Sequence, residues 1–348
     1  MMIPLNSDTE TQPTPEMRRV MASAAVGDEQ RGEDPTVNLL IDRVSDLLGK
    51  EAALYCPSGT MCNLISVKVH TRPADVVITD HMSHIARAEV AGAALASGVL
   101  LETIHTDRGI FDPEELTRAM ERVTIAPRPY SPVPRLLCVE QTHNFGGGSV
   151  WRLDELKAVC RQAGERGLAT HMDGARLLNA VKASGTSASE FADCVDSIWI
   201  DFAKGLGAPV GAVLAGPREF IEEARRYKHL FGGAMRQAGI VAAGCLHALD
   251  HHIDRLQEDH QNAQRLAKGL EGIEGITVRN PDPESNMVFF DVSGSGLDNP
   301  AFIRMLHEKG VKMASIGPFI RAVTNLDVSG EDIEKVLGTV GRIVMENP

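Results

Sequence analysis

The chain lacks cysteines at CxxC spacing, a surplus of positive charge, and any apolar run long enough to cross a bilayer. Each absence excludes something. The six cysteines, Cys56, Cys62, Cys138, Cys160, Cys194 and Cys245, are scattered, several within apolar runs such as Leu136-Leu137-Cys138-Val139, where a reduced, buried thiol is expected. Nothing has metal-ligand spacing, which argues against a catalytic metal. Lysine and arginine total 35 against 47 aspartates and glutamates, a net charge of −12. Such a surface does not attract nucleic acid or anionic membrane, and a phosphate-bearing ligand would need a local cradle. No charged segment followed by a short apolar core opens the sequence, so a cytoplasmic protein is expected. Internal repeats and low-complexity tracts are also missing.

What is present is enough chain for two units, 348 residues with ordinary hydrophobic (43%) and charged (24%) content. Residues 1–34 are polar and turn-rich. Asp34-Pro35 opens a helix with an apolar stripe at Val37, Leu40, Val44 and Leu47 that ends at Gly49. From 75 to 216 strand and helix patterns alternate. Strands are expected at Val76–Thr79, Val99–Ile104, Leu136–Val139, Leu168–Met172, Ser197–Phe202 and Val210–Ala215, with helices between many of them. That alternation predicts an α/β core with a mainly parallel sheet, whose functional groups gather at the carboxyl ends of strands. Beyond Arg236 a long helical pattern runs from about Gly239 to Leu270, followed by a small α+β unit. The boundary is placed near residue 250, giving units 1–250 (with an N-terminal arm) and 251–348.

Four chemistry-bearing side chains fall at strand ends: His84, His143, Asp173 and Lys204. Lys204 follows the apolar run Ile198–Phe202 and precedes Gly205 and Gly207, where the strand cannot continue comfortably. Desolvation there lowers an amine's pKa toward the nucleophilic range, and such a lysine can form a Schiff base with a carbonyl cofactor. A surface lysine at a strand end is the plainer alternative. Asp173 in Asp173-Gly174-Ala175-Arg176 can hold a pyridinium N–H, or simply pair with Arg176 across a turn. Ser58-Gly59-Thr60 feeds a helix N-terminus, which is an anion site or an ordinary cap. His84 could stack on a flat ring, and His143, before the Gly146-Gly147-Gly148 turn, suits acid–base work at a hydroxyl.

In this order, the SGT, DGAR and AKGLGAPVG motifs resemble those of the pyridoxal-phosphate-dependent low-specificity L-threonine aldolases. Further matches are Ser7-Asp8-Thr9, Gly27-Asp28, Asp34-Pro35-Thr36, Thr142-His143-Asn144, Gly232–Gln237 and Leu326–Ser329, so the likeness runs from residue 7 to about 335. It implies the fold type I architecture of pyridoxal-phosphate enzymes: a large domain with a mainly parallel seven-stranded sheet and a small C-terminal α+β domain. It implies that Lys204 carries the cofactor, Asp173 holds its ring nitrogen, and His84 stacks on the ring. Ser58, Gly59 and Thr60 would take the phosphate. Arg176 would reach the phenolic oxygen or the substrate carboxylate, and His143 would contact the β-hydroxyl. Ser7 and Arg321 would hold the substrate carboxylate, and Arg236 would serve a neighbouring subunit's phosphate. The base is left open among His143, His84 and a water. Implied partners are a small amino-acid substrate and further copies of the chain, in a homotetramer with active sites between subunits.

Four positions depart from the pattern. Ala203 replaces a serine, Arg31 a tyrosine, Arg87 an apolar or aromatic residue, and Asn325 a histidine. Arg31 and Arg87 raise the expectation of an anionic or polar β-substituent, as in 3-hydroxyaspartate. The alternative is that both face solvent or pair with Glu33, Asp34 or Glu89. The same lysine, aspartate and phosphate cradle also serve β-eliminating lyases and transaminases, and a scaffold that lost its chemistry is a third reading.

Overall fold

The computed structural model describes residues 2–346. Its strands in chain order are β1 (Ile3–Pro4), β2 (Ala52–Cys56), β3 (Asp75–Asp80), β4 (Leu100–Ile104), β5 (Val133–Glu140), β6 (Ala169–Gly174) and β7 (Ser197–Asp201). Then follow β8 (Ala212–Gly216), β9 (Thr277–Val278), β10 (Met287–Asp291), β11 (Val311–Lys312), β12 (Ala314–Ile316) and β13 (Phe319–Val323). The main sheet has seven strands in the order β2-β8-β7-β6-β5-β3-β4. Pairings from β4 through β3, β5 and β6 to β7 are parallel, whereas β8 runs antiparallel to both β7 and β2. The expected mainly parallel α/β sheet is present, and all six anticipated strands are in it.

The helix Pro35–Leu48 shows how local sequence sets this up. Asp34 accepts hydrogen bonds from the Thr36 and Val37 amides, Pro35 fills the first turn, and Gly49 ends the helix at φ 62°. Its buried stripe is Val37, Leu40, Val44 and Leu48, with Leu47 only partly covered. Each such side chain contributes about 1.5–3 kcal/mol by burial. Apolar clusters cover both faces of the sheet, one built on this helix and another joining Leu54, Ile65, Trp199, Leu214 and Phe220.

Two expectations need correction. The turn-rich opening contains a helix, Pro15–Ala22, capped by Thr14 in a Thr-Pro-Glu start signal. The long pattern after Gly239 is two helices, Gly239–His251 and Leu256–Glu271. The break follows His252, whose N–H still bonds the Ala248 carbonyl in helical fashion while its ring donates through Nδ1 to the carbonyl of Leu206 at 2.7 Å, on the loop carrying Lys204.

The C-terminal part forms a four-stranded antiparallel sheet in the order β12-β13-β10-β9. Its apolar cluster draws on Ala263–Leu270, β10, β13 and the helix Gly330–Glu346, and also on Leu5 from the chain's beginning. β1 pairs in parallel with β11, Ile3 opposite Val311, so the N-terminal arm is stitched to this second layer.

Candidate active site

At the carboxyl ends of β5, β6 and β7 lies a cavity of about 530 Å³, lined by Ser7, Ser58, Gly59, Thr60, His84, Asp173, Arg176, Lys204 and Arg321 among others. These nine expected residues come from six separate segments of the chain. His143, Arg31, Arg87 and Arg236 do not line it.

Lys204 stands on the loop between the antiparallel neighbours β7 and β8. The loop is tightly held: Gly207 and Thr11 both donate to the Lys204 carbonyl at 2.8 Å, and Gly207 takes the left-handed φ of 72° that the turn requires. The Lys204 ammonium donates to Asp201 Oδ2 at 2.7 Å and lies 5.5 Å from the centre of the Trp199 ring.

Asp173 sits in β6, opposite Glu140 of β5 in the register. Its Oδ2 accepts from Asn63 at 2.8 Å and its Oδ1 from the Ala175 amide at 3.1 Å. Burial, reinforced by the Glu140 charge and partly offset by His84 and Lys204, pushes its carboxyl up to about 6. A carboxylate held this way gains from an N–H donor in the cavity. The anticipated Asp173–Arg176 pair does not form.

Arg176 instead faces Asp8, donating from Nε to Oδ2 at 2.7 Å and from Nη2 to Oδ1 at 2.6 Å. Both side chains are buried. Among the described residues, Arg321, on β13, has no carboxylate against it: Nη1 donates to Asn144 Oδ1 at 2.8 Å, Nη2 to the Asn6 carbonyl at 3.1 Å, and the buried Nε meets no acceptor. Burial and the like charge of Arg176 bring its pKa down to about 10. A buried guanidinium with an unused donor is a site for an anion.

His84 donates from Nδ1–H to Glu89 Oε1 at 2.8 Å, and its backbone N–H donates to Glu140 Oε2 at 2.7 Å. Burial pulls the imidazole toward its neutral form, but the Glu89 hydrogen bond and the charges of Asp173, Glu140 and Glu89 outweigh it, so its pKa lies above the ordinary value. Asn63 ties these groups together, donating to Glu89 at 2.7 Å as well as to Asp173 and accepting from Trp199 Nε1 at 2.7 Å.

Ser58 caps the helix Gly59–His70, whose first turn opens on the cavity. Gly59 has to be glycine: a Cβ there would lie 2.1 Å from the Trp199 ring. The helix start, the Asp173 carboxylate, the Lys204 amine and the His84 ring together match the phosphate, ring nitrogen, carbonyl and flat face of pyridoxal phosphate. The residues present fit that cofactor.

The remaining expected residues lie elsewhere. His143 is buried beyond the ends of β5 and β3, Nε2 3.2 Å from Asp80 Oδ1 and Nδ1 accepting from the Gly146 amide at 3.0 Å. Burial lowers its pKa, yet Glu140, Asp80 and Asp173 raise it further, for a net increase. Arg31 is exposed and 3.8 Å from Asp28, and Arg236, also exposed, bonds the same Asp28 at 2.8 Å. Arg87 donates to the carbonyl of His81. Neither extra arginine reaches the cavity of its own chain, and neither has the carboxylate partner anticipated for it.

Sequence reasoning missed Asp8, Asn63, Glu89 and Asp201. Asp8 stood within the Ser7-Asp8-Thr9 match, and Asp201 carried a local signal, a carboxylate ending an otherwise apolar strand three residues before the lysine.

The beta-eliminating lyase family profile matches residues 4–293. The low-specificity L-threonine aldolase 1 of Arabidopsis thaliana is 37% identical over 340 residues, covering 96% of this chain and 94% of that protein. The low specificity L-threonine aldolase of Escherichia coli K12 is 37% identical over 338 residues, covering 96% and 97%. Among solved structures, a Leishmania major threonine aldolase superposes with a TM-score of 0.84 at 22% identity, covering 97% of this chain and 98% of that one, which is a likeness of fold.

Proposed function

This chain belongs to the beta-eliminating lyase family, among the low-specificity L-threonine aldolases, and from that premise we propose that it cleaves L-threonine, L-allo-threonine or a related L-β-hydroxy-α-amino acid to glycine and an aldehyde, using pyridoxal phosphate. The observation that carries this reading is the convergence of Lys204, Asp173, His84 and the carboxylate-free Arg321 on one cavity.

When bound, pyridoxal phosphate supplies a carbonyl carbon that condenses with an amine and a protonated ring that takes up the electron pair left at Cα. The chain's own groups do the rest. Lys204 presents the amine. Asp173 keeps the ring nitrogen protonated. Ser58, Gly59 and Thr60 at the helix start bind the phosphate through hydroxyls, free amides and the helix dipole. Arg321 and Ser7 hold the substrate carboxylate, and Arg176, kept in place by Asp8, faces the same end of the cavity. Two charge-assisted contacts of about 1.5–3 kcal/mol each would orient the Cα–Cβ bond for cleavage. His84 takes the β-hydroxyl proton, with Glu89 behind it. His143 is not assigned this role because its side chain does not line the cavity: Nδ1 accepts from the Gly146 amide, and the buried Nε2, 3.2 Å from Asp80 Oδ1, makes no hydrogen bond among the described residues.

The finer assignments are part of the same proposal. Residues 1–250 make the cofactor-binding unit and 251–348 the small unit, supported by two apolar clusters drawn mainly from each, with Leu256 crossing into the first and Leu5 into the second. A homotetramer with shared sites is supported by Val90 and Leu95, 95% and 89% exposed, close in sequence to Glu89, and by the exposed Arg236. A cytoplasmic setting is supported by six unpaired thiols; among the described residues no helix is long and apolar enough to cross a membrane.

The test is product analysis with cofactor added. Glycine and acetaldehyde from L-threonine, and borohydride-trapped mass at Lys204 that Lys204→Ala abolishes, are expected. 2-Oxobutyrate and ammonia from L-threonine would instead establish β-elimination, the chemistry named by the matched family.

A further inference from the structure

We propose that Asp201 is the counter-ion onto which Lys204 is released each time a substrate amine takes its place on the cofactor, a positioning role that rests on the function proposed above. Asp201 ends β7 and is fixed from two sides. Its Oδ1 accepts the Ala203 amide at 2.8 Å, and its Oδ2 accepts the Lys204 ammonium at 2.7 Å. Both side chains line the cavity, and they are only 10% and 16% exposed.

The backbone of Lys204 is pinned by Gly207 and Thr11, so only its side chain is free to swing. An ammonium freed into so enclosed a cavity is costly unless a carboxylate meets it. Asp201 is such a carboxylate, already oriented by its bond to the turn. In the exchange, the carbon–nitrogen double bond to Nζ breaks as the one to the substrate nitrogen forms. Two protons pass from the substrate ammonium to Nζ, so the lysine leaves as an ammonium and no charge is created or lost. Asp201 stabilises that leaving form. The Trp199 face beneath Nζ adds a weaker attraction for the same cation.

Glycine separates this step from cleavage, because it has an amine and a carboxylate but no β-carbon to lose. The cofactor-loaded full-length protein is titrated with glycine and followed by absorbance, in wild type, Asp201→Asn and Asp201→Glu. Asparagine keeps an acceptor for the Ala203 amide and the shape of the turn while removing the charge, so a purely structural role predicts no change. The expected result is a thermal midpoint near wild type, undiminished borohydride trapping at Lys204, and glycine affinity weakened roughly tenfold or more. Asp201→Glu is expected to recover part of the loss. Should Asp201→Asn load poorly, Asp201→Ser, which also keeps an acceptor for the turn, repeats the titration. Unchanged glycine affinity in a loaded Asn or Ser variant would overturn the role of Asp201 and leave the proposed function standing. Failure of wild type to trap cofactor at Lys204 would overturn both.

Discussion

Asp8 and Arg176 are 168 residues apart in the chain and meet as a two-pronged ion pair inside the protein, at 2.7 and 2.6 Å. The pair joins the N-terminal arm to the end of β6 beside Asp173. Burial alone would push the Asp8 carboxyl up, but Arg176 and its neighbours hold it below the usual value. Because the folded pKa is depressed, the pair's stabilisation is present above the unfolded value near 4 and fades as pH falls through the folded one. Asp8→Ala leaves a buried guanidinium alone and should destabilise the protein by about 3–5 kcal/mol at neutral pH. Denaturant melts of both proteins across acidic and neutral pH check this; the gap should narrow only on the acid side.

Glu89 should govern the acid limb of catalysis. His84 must be neutral to accept a proton, and its pKa is raised above the ordinary histidine value against the pull of burial, chiefly by the Glu89 hydrogen bond. Glu89→Gln removes the anion, so the His84 pKa falls and the acid limb of kcat/KM moves to lower pH. A profile whose acid limb stays put would separate His84 from that limb.

Arg321→Ala should weaken substrate binding far more than folding. Among the described residues its guanidinium bonds only Asn144 and the Asn6 carbonyl, and it has a spare buried donor. Loss of a charge-assisted contact of about 1.5–3 kcal/mol lowers kcat/KM roughly 10- to 100-fold, mostly through KM. Steady-state kinetics with L-threonine, beside a thermal melt close to wild type, is the check.

His143→Ala should do the reverse. With Nε2 beside Asp80 and Nδ1 on the Gly146 amide, the ring supports the turn after β5 against the end of β3. Its removal should cost about 1–3 kcal/mol of stability while kcat of the folded protein stays near wild type. A collapse of kcat at unchanged stability would return His143 to the catalytic role that the sequence suggested for it.

That contrast marks what a sequence can carry. Strand ends were legible because apolar runs stop abruptly at Asp173 and Lys204, and a parallel sheet gathers such ends at one edge. Which way a side chain turns after the strand was not. His143 and His84 have the same local description, yet Asp80 draws one ring away and Glu89 holds the other at the cavity. Partners brought together by the fold were equally hidden: Asn63 reaches Asp173, Glu89 and Trp199 from a helix whose sequence reads as ordinary. The break after His252 escaped periodicity because both flanking segments are good helix, and the Leu206 carbonyl that its ring meets there comes from a loop remote in the chain.

The parallel pairing of Ile3 with Val311, with Leu5 in the C-terminal apolar cluster, means that the small unit is not contiguous along the gene. A fragment beginning at residue 251 would expose the groove that Leu5 fills and leave β11 without its neighbour. Splitting the protein for complementation should therefore supply the first dozen residues with the C-terminal piece, joined as in a circular permutant, and not with the half to which they are attached in nature.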